Sequence, residues 1–169
     1  ATLHAEDLWY AVLEAGKKYN LMVTAPSHCR RIQAGILSWG QDMDSQHNPF
    51  QCNLGYQVSL SGKGEWNKKA DYIGKQVLEK MRSDLLSGKI PYKLQLVGLE
   101  MDGRPVIDFA HDFWPIFSNE SNEPCGFVTS PWYHPDRKKN IAMGYVPFEG
   151  TLNKHGLPVG NYGQKFSVQ

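Results

Sequence analysis

The chain has 169 residues, of which 41% are hydrophobic and 12% aromatic, and its formal net charge is +1; this composition supports a packed core and points away from a disordered or membrane chain. No apolar run reaches the roughly 20 residues that a membrane span needs, and the N-terminus lacks the basic-then-apolar layout of a secretory signal. Lysine and arginine are scattered apart from Lys17-Lys18, Lys68-Lys69 and Arg137-Lys138-Lys139, so the basic stripe of a nucleic-acid groove is missing and neither nucleic acid nor a membrane is expected as a partner.

In chain order, Leu8, Trp9, Val12 and Leu13 recur at helical spacing within residues 3–16, with Glu6 and Asp7 in the first turn and Gly16 suited to a left-handed C-terminal cap. Leu21, Met22 and Val23 then form a short apolar run that reads as a buried strand or a lead-in segment. Pro26 pre-sets a second helix, capped near Thr24 or Ala25 and running to about Gly35. Between residues 45 and 65 the composition turns to Asn, Gln, Ser, Gly and Lys, and the alternation of Tyr56, Val58 and Leu60 predicts one strand. Residues 61–69, polar and rich in Gly and Lys, mark the expected domain junction. Asp71 is placed to cap a third helix whose apolar stripe is Ile73, Val77, Leu78, Met81 and Leu85, ended by Gly88.

After Pro91 the pattern changes to short apolar runs between turn residues: 94–99, 106–109, 113–117, 127–129, 141–146 and 165–168, with a tight-turn signal at Asp102-Gly103 and an exposed loop over 118–124. Six or so such strands point to an antiparallel sandwich or barrel. There is no internal repeat. Cys29, Cys52 and Cys125 form no close metal-ligand pair, and three widely spaced cysteines fit reduced thiols in a cytoplasmic protein.

Candidate chemistry concentrates in two places. The turn Gln41-Asp42-Met43-Asp44, with Trp39 beside it, offers two carboxylates, an amide and a flat apolar face, a set able to take a heteroaromatic ring bearing N–H donors. The same carboxylates could instead hold backbone N–H groups in a sharp reversal, which is the favoured role. Arg31 faces a parallel choice between clamping a ligand carboxylate and pairing with an internal Asp or loop carbonyls, and the internal pairing is again favoured. Trp132-Tyr133, in a proline-bracketed segment, can wall a ligand pocket or lie as a lid over a neighbouring domain. His28 beside Cys29 gives no thiolate nucleophile, because adjacent helical residues point apart. The histidines show no metal-ligand spacing, and Gly62, Gly64 and Gly74 do not make a phosphate loop, so no metal site is expected.

The run Arg31-Ile32-Gln33-Ala34-Gly35, followed by Trp39-Gly40-Gln41-Asp42-Met43-Asp44, resembles the signature of the aminomethyltransferase family, the T-protein of glycine cleavage and its tetrahydrofolate-dependent relatives. Three further matches follow in that family's order: Asn48-Pro49-Phe50-Gln51-Cys52-Asn53-Leu54; Asp71-Tyr72-Ile73-Gly74-Lys75-Gln76-Val77-Leu78; and Gly126-Phe127-Val128-Thr129-Ser130 with Lys139-Asn140-Ile141-Ala142-Met143-Gly144-Tyr145-Val146. The resemblance implies an α+β chain, in which residues 1–65 are the end of a helix-and-strand folate-binding core and residues 71–169 a C-terminal antiparallel β-barrel domain. It implies tetrahydrofolate as cofactor, with Arg31, Trp39, Gln41, Asp42, Trp132 and Tyr133 as candidate binding residues, and aromatic walls suited to a sulfonium or ammonium donor.

The resemblance also implies that the family's catalytic aspartate and pteridine-recognising glutamate lie upstream of Ala1. On that reading no catalytic residue lies in this segment, the segment alone is inactive, and its partners are a small methyl or aminomethyl donor and the missing N-terminal half. Ser27-His28 stands where T-proteins carry an Arg-Asp pair, and Gln33 where they carry Glu. Both departures, with Asn48-Pro49-Phe50-x-Cys52, resemble the demethylase branch, such as dimethylsulfoniopropionate demethylase, more than the T-protein. Two other classes stay open: the folate-binding tail of a flavin-linked amine dehydrogenase, and a non-catalytic folate-binding homologue.

Overall fold

A computed structural model of the chain describes residues 2–60, 70–108, 112–118, 123–147, 151–152, 158–159 and 166–168. Its α-helices are α1 (Ala5–Gly16), α2 (His28–Gln33) and α3 (Lys75–Leu86). Its strands are β1 (Leu94–Met101), β2 (Trp114–Phe117), β3 (Pro124–His134), β4 (Lys139–Pro147), β5 (Thr151–Leu152), β6 (Pro158–Val159) and β7 (Ser167–Val168). The fold is α+β, with one antiparallel sheet in the order β1-β4-β3-β2-β7 and a separate β5–β6 pair.

Strand periodicity builds two of the three apolar clusters. Successive side chains of a strand point to opposite faces, so Ile141, Met143 and Tyr145 of β4 pack with Leu96 of β1 and Ile32 of α2. Ala142 and Val146, on the other face of β4, pack with Val128 and Ile116. Being covered on both sides, β4 reads as a nearly unbroken apolar run. Gly126 lies so close to β4 that a Cβ there would stand 2.1 Å from the Tyr145 carbonyl oxygen. The third cluster joins Leu85 of α3 to Phe50 and Leu60, with Leu78, Met81 and Tyr92 packed against it.

Several expectations are corrected. Among the described residues the sheet stays open rather than closing into a sandwich or barrel. At Leu96 the outward backbone groups of β1 meet residues 51 and 53 instead of another strand. The Leu96 N–H donates to the Gln51 carbonyl at 3.0 Å, and Asn53 Nδ2 donates to the Leu96 carbonyl at 2.7 Å. Buried Gln95 adds two side-chain bonds, from Nε2 to the Gln51 carbonyl at 2.8 Å and to Asn53 Oδ1 at 2.7 Å. A side-chain and loop seal of this kind protects a sheet edge as a paired strand would.

Residues 21–23 are not a strand here but exposed coil, since no described segment lies alongside to pair with them. The left-handed residue after α1 is Asn20, at φ 55°, because the chain continues through a 3-10 turn over Lys17–Tyr19. Gly16, right-handed at φ −79°, serves a close approach instead: a Cβ there would stand 2.4 Å from Leu21 Cδ2. Ser27, not Thr24 or Ala25, caps α2.

Tyr56 lies in a 3-10 turn, Gly55–Gln57, and the alternation through Leu60 makes no strand because no partner strand is there to pair with it. The third helix starts at Lys75 after Gly74 rather than at Asp71, whose Oδ1 accepts the Tyr72 N–H; Ile73 and Val77 are exposed, while Gly88 follows the helix at φ 82°. No strand forms at residues 106–108, although the Val106 carbonyl accepts the Tyr133 N–H at 2.8 Å. Lys165, Phe109, the 61–69 junction and most of the 118–124 loop lie outside the described residues.

The Tyr92 hydroxyl is buried with no hydrogen-bond partner among the described residues, and burial pushes its phenol far above the usual range. An unsatisfied buried polar atom costs about 1–3 kcal/mol. Tyr92→Phe is therefore expected to raise the unfolding free energy measured in urea by an amount within that range, and a fall in stability would contradict this reading of the cluster.

Candidate functional site

The site is assembled by α2 and the turn that follows it. Ser27 Oγ accepts the Arg30 N–H at 3.3 Å, a side-chain cap that starts the helix. Gly35, at φ 69°, ends it, and the Ile36 N–H closes back on the Arg31 carbonyl at 2.8 Å. The chain then reverses over residues 38–43. The Asp42 N–H donates to the Ser38 carbonyl and the Gly40 N–H to the Met43 carbonyl, both at 2.8 Å, with Gly40 at φ 82°.

Asp42 is the hub of this turn and is fully buried, at 0% exposure. Its Oδ2 accepts Arg31 Nη1 at 2.7 Å and the Ser38 N–H at 2.8 Å. Its Oδ1 accepts Thr129 Oγ1 at 2.6 Å and Ser130 Oγ at 2.5 Å. Consecutive strand residues normally point to opposite faces, so two hydroxyls on one oxygen require an irregularity. The β3–β4 register supplies it, passing from Val128 opposite Gly144 to Ser130 opposite Met143 and leaving Thr129 as an extra residue. This bulge re-aims the strand, and both hydroxyls meet the carboxylate.

Each nitrogen of the Arg31 guanidinium likewise bonds within the chain. Besides Asp42 it donates from Nη2 to Ser130 Oγ at 2.7 Å, from Nη1 to the Ile36 carbonyl at 3.3 Å, and from Nε to His28 Nδ1 at 3.3 Å. The His28 ring stacks on Trp132, with centroids 5.0 Å apart. Beneath the turn, the Tyr145 hydroxyl donates to the Asp42 carbonyl at 2.7 Å and lies 3.4 Å from Cys52 Sγ. Burial first, then the Cys52 contact and the nearby Asp42 and Asp44 charges, push the Tyr145 phenol far above its usual range. Burial also pushes the Cys52 thiol up, against the opposing Tyr145 bond, which favours its protonated form.

Asp44 sits at the margin of this cluster. The Gln46 N–H and His47, whose Nδ1 lies 2.8 Å from Asp44 Oδ1, hold its carboxyl below the usual value. The His47 ring leans on Tyr145 with centroids 4.7 Å apart.

Of the six residues singled out from sequence, the structure brings Trp39, Gln41 and Asp42 into one turn, with Arg31 of α2 bonded to it through Asp42. Asp42 and Arg31 spend their side chains on the chain's own groups. Gln41 Nε2 donates to the Thr129 carbonyl at 2.9 Å, while Oε1 has no partner among the described residues. Trp39 projects outward at 69% exposure. Trp132 is half-buried against α2. Strand alternation puts Tyr133 on the opposite face, so the two do not form one wall. Thr129, Ser130 and Tyr145 are the residues that sequence reasoning missed. The polar Thr129-Ser130 pair inside an apolar strand was the available signal.

Among the described residues, no helix is long and apolar enough to cross a membrane, and no group of three or more His, Cys, Asp or Glu could hold a metal ion. Residues 95–169 match the model of the glycine cleavage T-protein C-terminal barrel domain. The aminomethyltransferase of Synechocystis sp. is 37% identical over 139 residues, 82% of this chain and 33% of that protein. The aminomethyltransferase of Picosynechococcus sp. is 28% identical over 97% of this chain and 40% of that protein. The dimethylsulfoniopropionate demethylase DmdA of Ruegeria pomeroyi is 29% identical over 139 residues, 82% of this chain. The chain thus spans a third to two fifths of the length of these aminomethyltransferases. In fold it is similar to the glycine cleavage system aminomethyltransferase T of Bartonella henselae, with a TM-score of 0.54 and 23% identity over 83% of this chain and 35% of that one.

Two outcomes test this geometry. Arg31→Ala leaves the Asp42 charge buried without its cation and is expected to cost about 3–5 kcal/mol of stability in urea unfolding; a loss under about 1 kcal/mol would contradict the pairing. Because the Asp44 pKa is lowered in the folded state, its contribution is complete above the ordinary value of 3.8 and is lost as pH falls below it. Asp44→Asn should therefore flatten the fall of stability with pH below about pH 4 and leave that slope unchanged above about pH 5.

Proposed function

Since this chain belongs to the glycine cleavage T-protein family of aminomethyltransferases and demethylases, we propose that it is the C-terminal portion of an enzyme that moves a methyl or aminomethyl group from a small donor to tetrahydrofolate. On this reading residues 1–65 belong to the folate-binding domain and residues 71–169 to the barrel domain, and the rest of a longer polypeptide supplies the catalytic groups. The observation that carries the proposal is Trp39. A flat apolar ring stands in solvent on a turn whose buried groups are all satisfied, so the turn needs no further partner to be stable and the ring is held ready for one.

The residues fit one wall of a site for a planar heteroaromatic group. Trp39 offers a stacking face, and Gln41 Oε1, two residues away, offers an acceptor for a ring N–H. Asp42 and Arg31 have their charged groups engaged within the chain, so their part is to position Trp39 and Gln41. Tetrahydrofolate supplies the nitrogen that accepts the one-carbon unit. Holding acceptor and donor in contact and excluding water are what this segment contributes, and proximity of that kind is worth up to about 7–11 kcal/mol of barrier. His28 stacked on Trp132, with Ser27 as cap, occupies the positions that set the demethylase-like reading apart, and makes a methyl donor the favoured one. Trp132, and separately Tyr133 on the other face, are assigned to contacts with donor or neighbouring domain.

Calorimetric titration of the full-length polypeptide with tetrahydrofolate tests the proposal. Binding is expected, and Trp39→Ala should weaken it by about 2- to 10-fold, equivalent to the roughly 0.5–1.5 kcal/mol of an aromatic stack. No measurable binding by the full-length protein would remove the proposal, and unchanged affinity in the variant would remove Trp39 from the site.

A further inference from the structure

Asp102-Gly103 is the only place in the sequence where glycine follows an aspartate or an asparagine. Met101, just before it, is the last residue of β1 to pair with β4, opposite Asn140, so the chain leaves the ladder as this dipeptide begins. Residues 102–105 are exposed, with the Asp102 side chain at 94%. Gly103 takes φ 118°, and nothing lies within 4 Å of where a Cβ would stand. The Asp102 carboxylate has only a surface ion pair, with Lys139 Nζ at 3.7 Å, a contact that costs little to give up. Among the described residues no hydrogen bond occupies the Gly103 N–H.

A side-chain carboxyl and the next residue's amide nitrogen are thus both unheld, and glycine, lacking a Cβ, lets the chain fold back on that side chain most readily. Asp44-Ser45 makes the contrast. There the carboxylate is occupied by the Gln46 N–H and by His47, each at 2.8 Å.

We propose that Asp102 is a site of spontaneous isoaspartate formation in the folded protein. The Gly103 nitrogen bonds to Asp102 Cγ; the carboxyl OH leaves as water with the proton of that nitrogen, and a cyclic imide results. Water then adds to one of its two carbonyls. Opening at the former side-chain carbonyl restores aspartate, whereas opening at the main-chain carbonyl leaves the backbone running through Cγ and frees the α-carboxylate. Nothing is oxidised or reduced, and water is the only co-reactant. An exposed α-carboxylate of this kind is a substrate for a carboxyl methyltransferase that reads isoaspartate.

The product alters a loop pinned at both ends to one residue. Asn140 faces Met101 in the ladder, donates from Nδ2 to the Arg104 carbonyl at 2.9 Å and accepts the Val106 N–H on Oδ1 at 2.9 Å. The Val106 carbonyl in turn accepts the Tyr133 N–H at 2.8 Å. An extra backbone methylene between these anchors therefore strains the Asn140 bonds and loosens the segment lying along β3 beside Trp132. This inference goes beyond the cofactor reading and does not use it.

The test is to hold the folded full-length polypeptide at warm neutral pH and follow residue 102 by peptide mapping, with labelling by an isoaspartate O-methyltransferase as a second readout. Isoaspartate should accumulate there with unchanged mass and resistance to an Asp-specific endoproteinase, at a rate within about 10-fold of that in a free peptide spanning residues 98–107, as where the fold adds no protection. A larger gap would overturn the proposal, and so would isoaspartate forming as fast at Asp44. In the modified protein the Val106 and Tyr133 amides should exchange at least about 10-fold faster than in the unmodified one. Unchanged exchange would overturn the effect assigned to the loop.

Discussion

A single carboxylate, Asp42, ties the helix-and-turn segment to the sheet. A charge at 0% exposure is tolerable only if every oxygen is paired, since leaving it bare costs several kcal/mol. Here two donors come from the segment itself, Arg31 and the Ser38 N–H, and two from β3, Thr129 and Ser130. The carboxylate therefore cannot be satisfied unless the turn and the sheet are both in place. That dependence couples α2, the reversal at residues 38–43 and the β3 bulge into one unit, with Tyr145 bracing the Asp42 carbonyl from below.

The functional consequence follows from what this unit leaves outside. The sequence leaves Arg31 and Asp42 between ligand contact and internal pairing and favours the pairing, and in the structure their donors and acceptors are turned inward. Trp39 and one oxygen of Gln41 are what face out. A rigid, fully satisfied base that holds an exposed ring suits a binding wall better than a reacting centre, in keeping with the proposal that the chemistry belongs to other parts of a longer protein.

Much of this was legible in the residues. The short apolar runs at 94–99 and 141–146 and the run from Trp39 to Asp44 marked the sheet and the turn, and the resemblance carried by four motifs named the family. What failed did so for physical reasons. A strand is defined by its neighbour, so Leu21, Met22 and Val23 read as a strand but lie as coil without one, and Tyr56, Val58 and Leu60 alternate without pairing. A bulge adds one residue without altering composition, so no periodicity could show that Thr129 and Ser130 reach the same oxygen. Gly16 showed that a glycine near a helix end can mark a close contact, with the left-handed turn left to Asn20.

The central claim is that Asp42 and β3 act as one structural unit, and a double-mutant cycle on urea unfolding of Asp42→Ala, Ser130→Ala and the pair tests it most directly. The account predicts a coupling energy within the range of about 0.5–3 kcal/mol seen for residues that share one hydrogen-bond network. Additive losses, with coupling below about 0.3 kcal/mol, would contradict it.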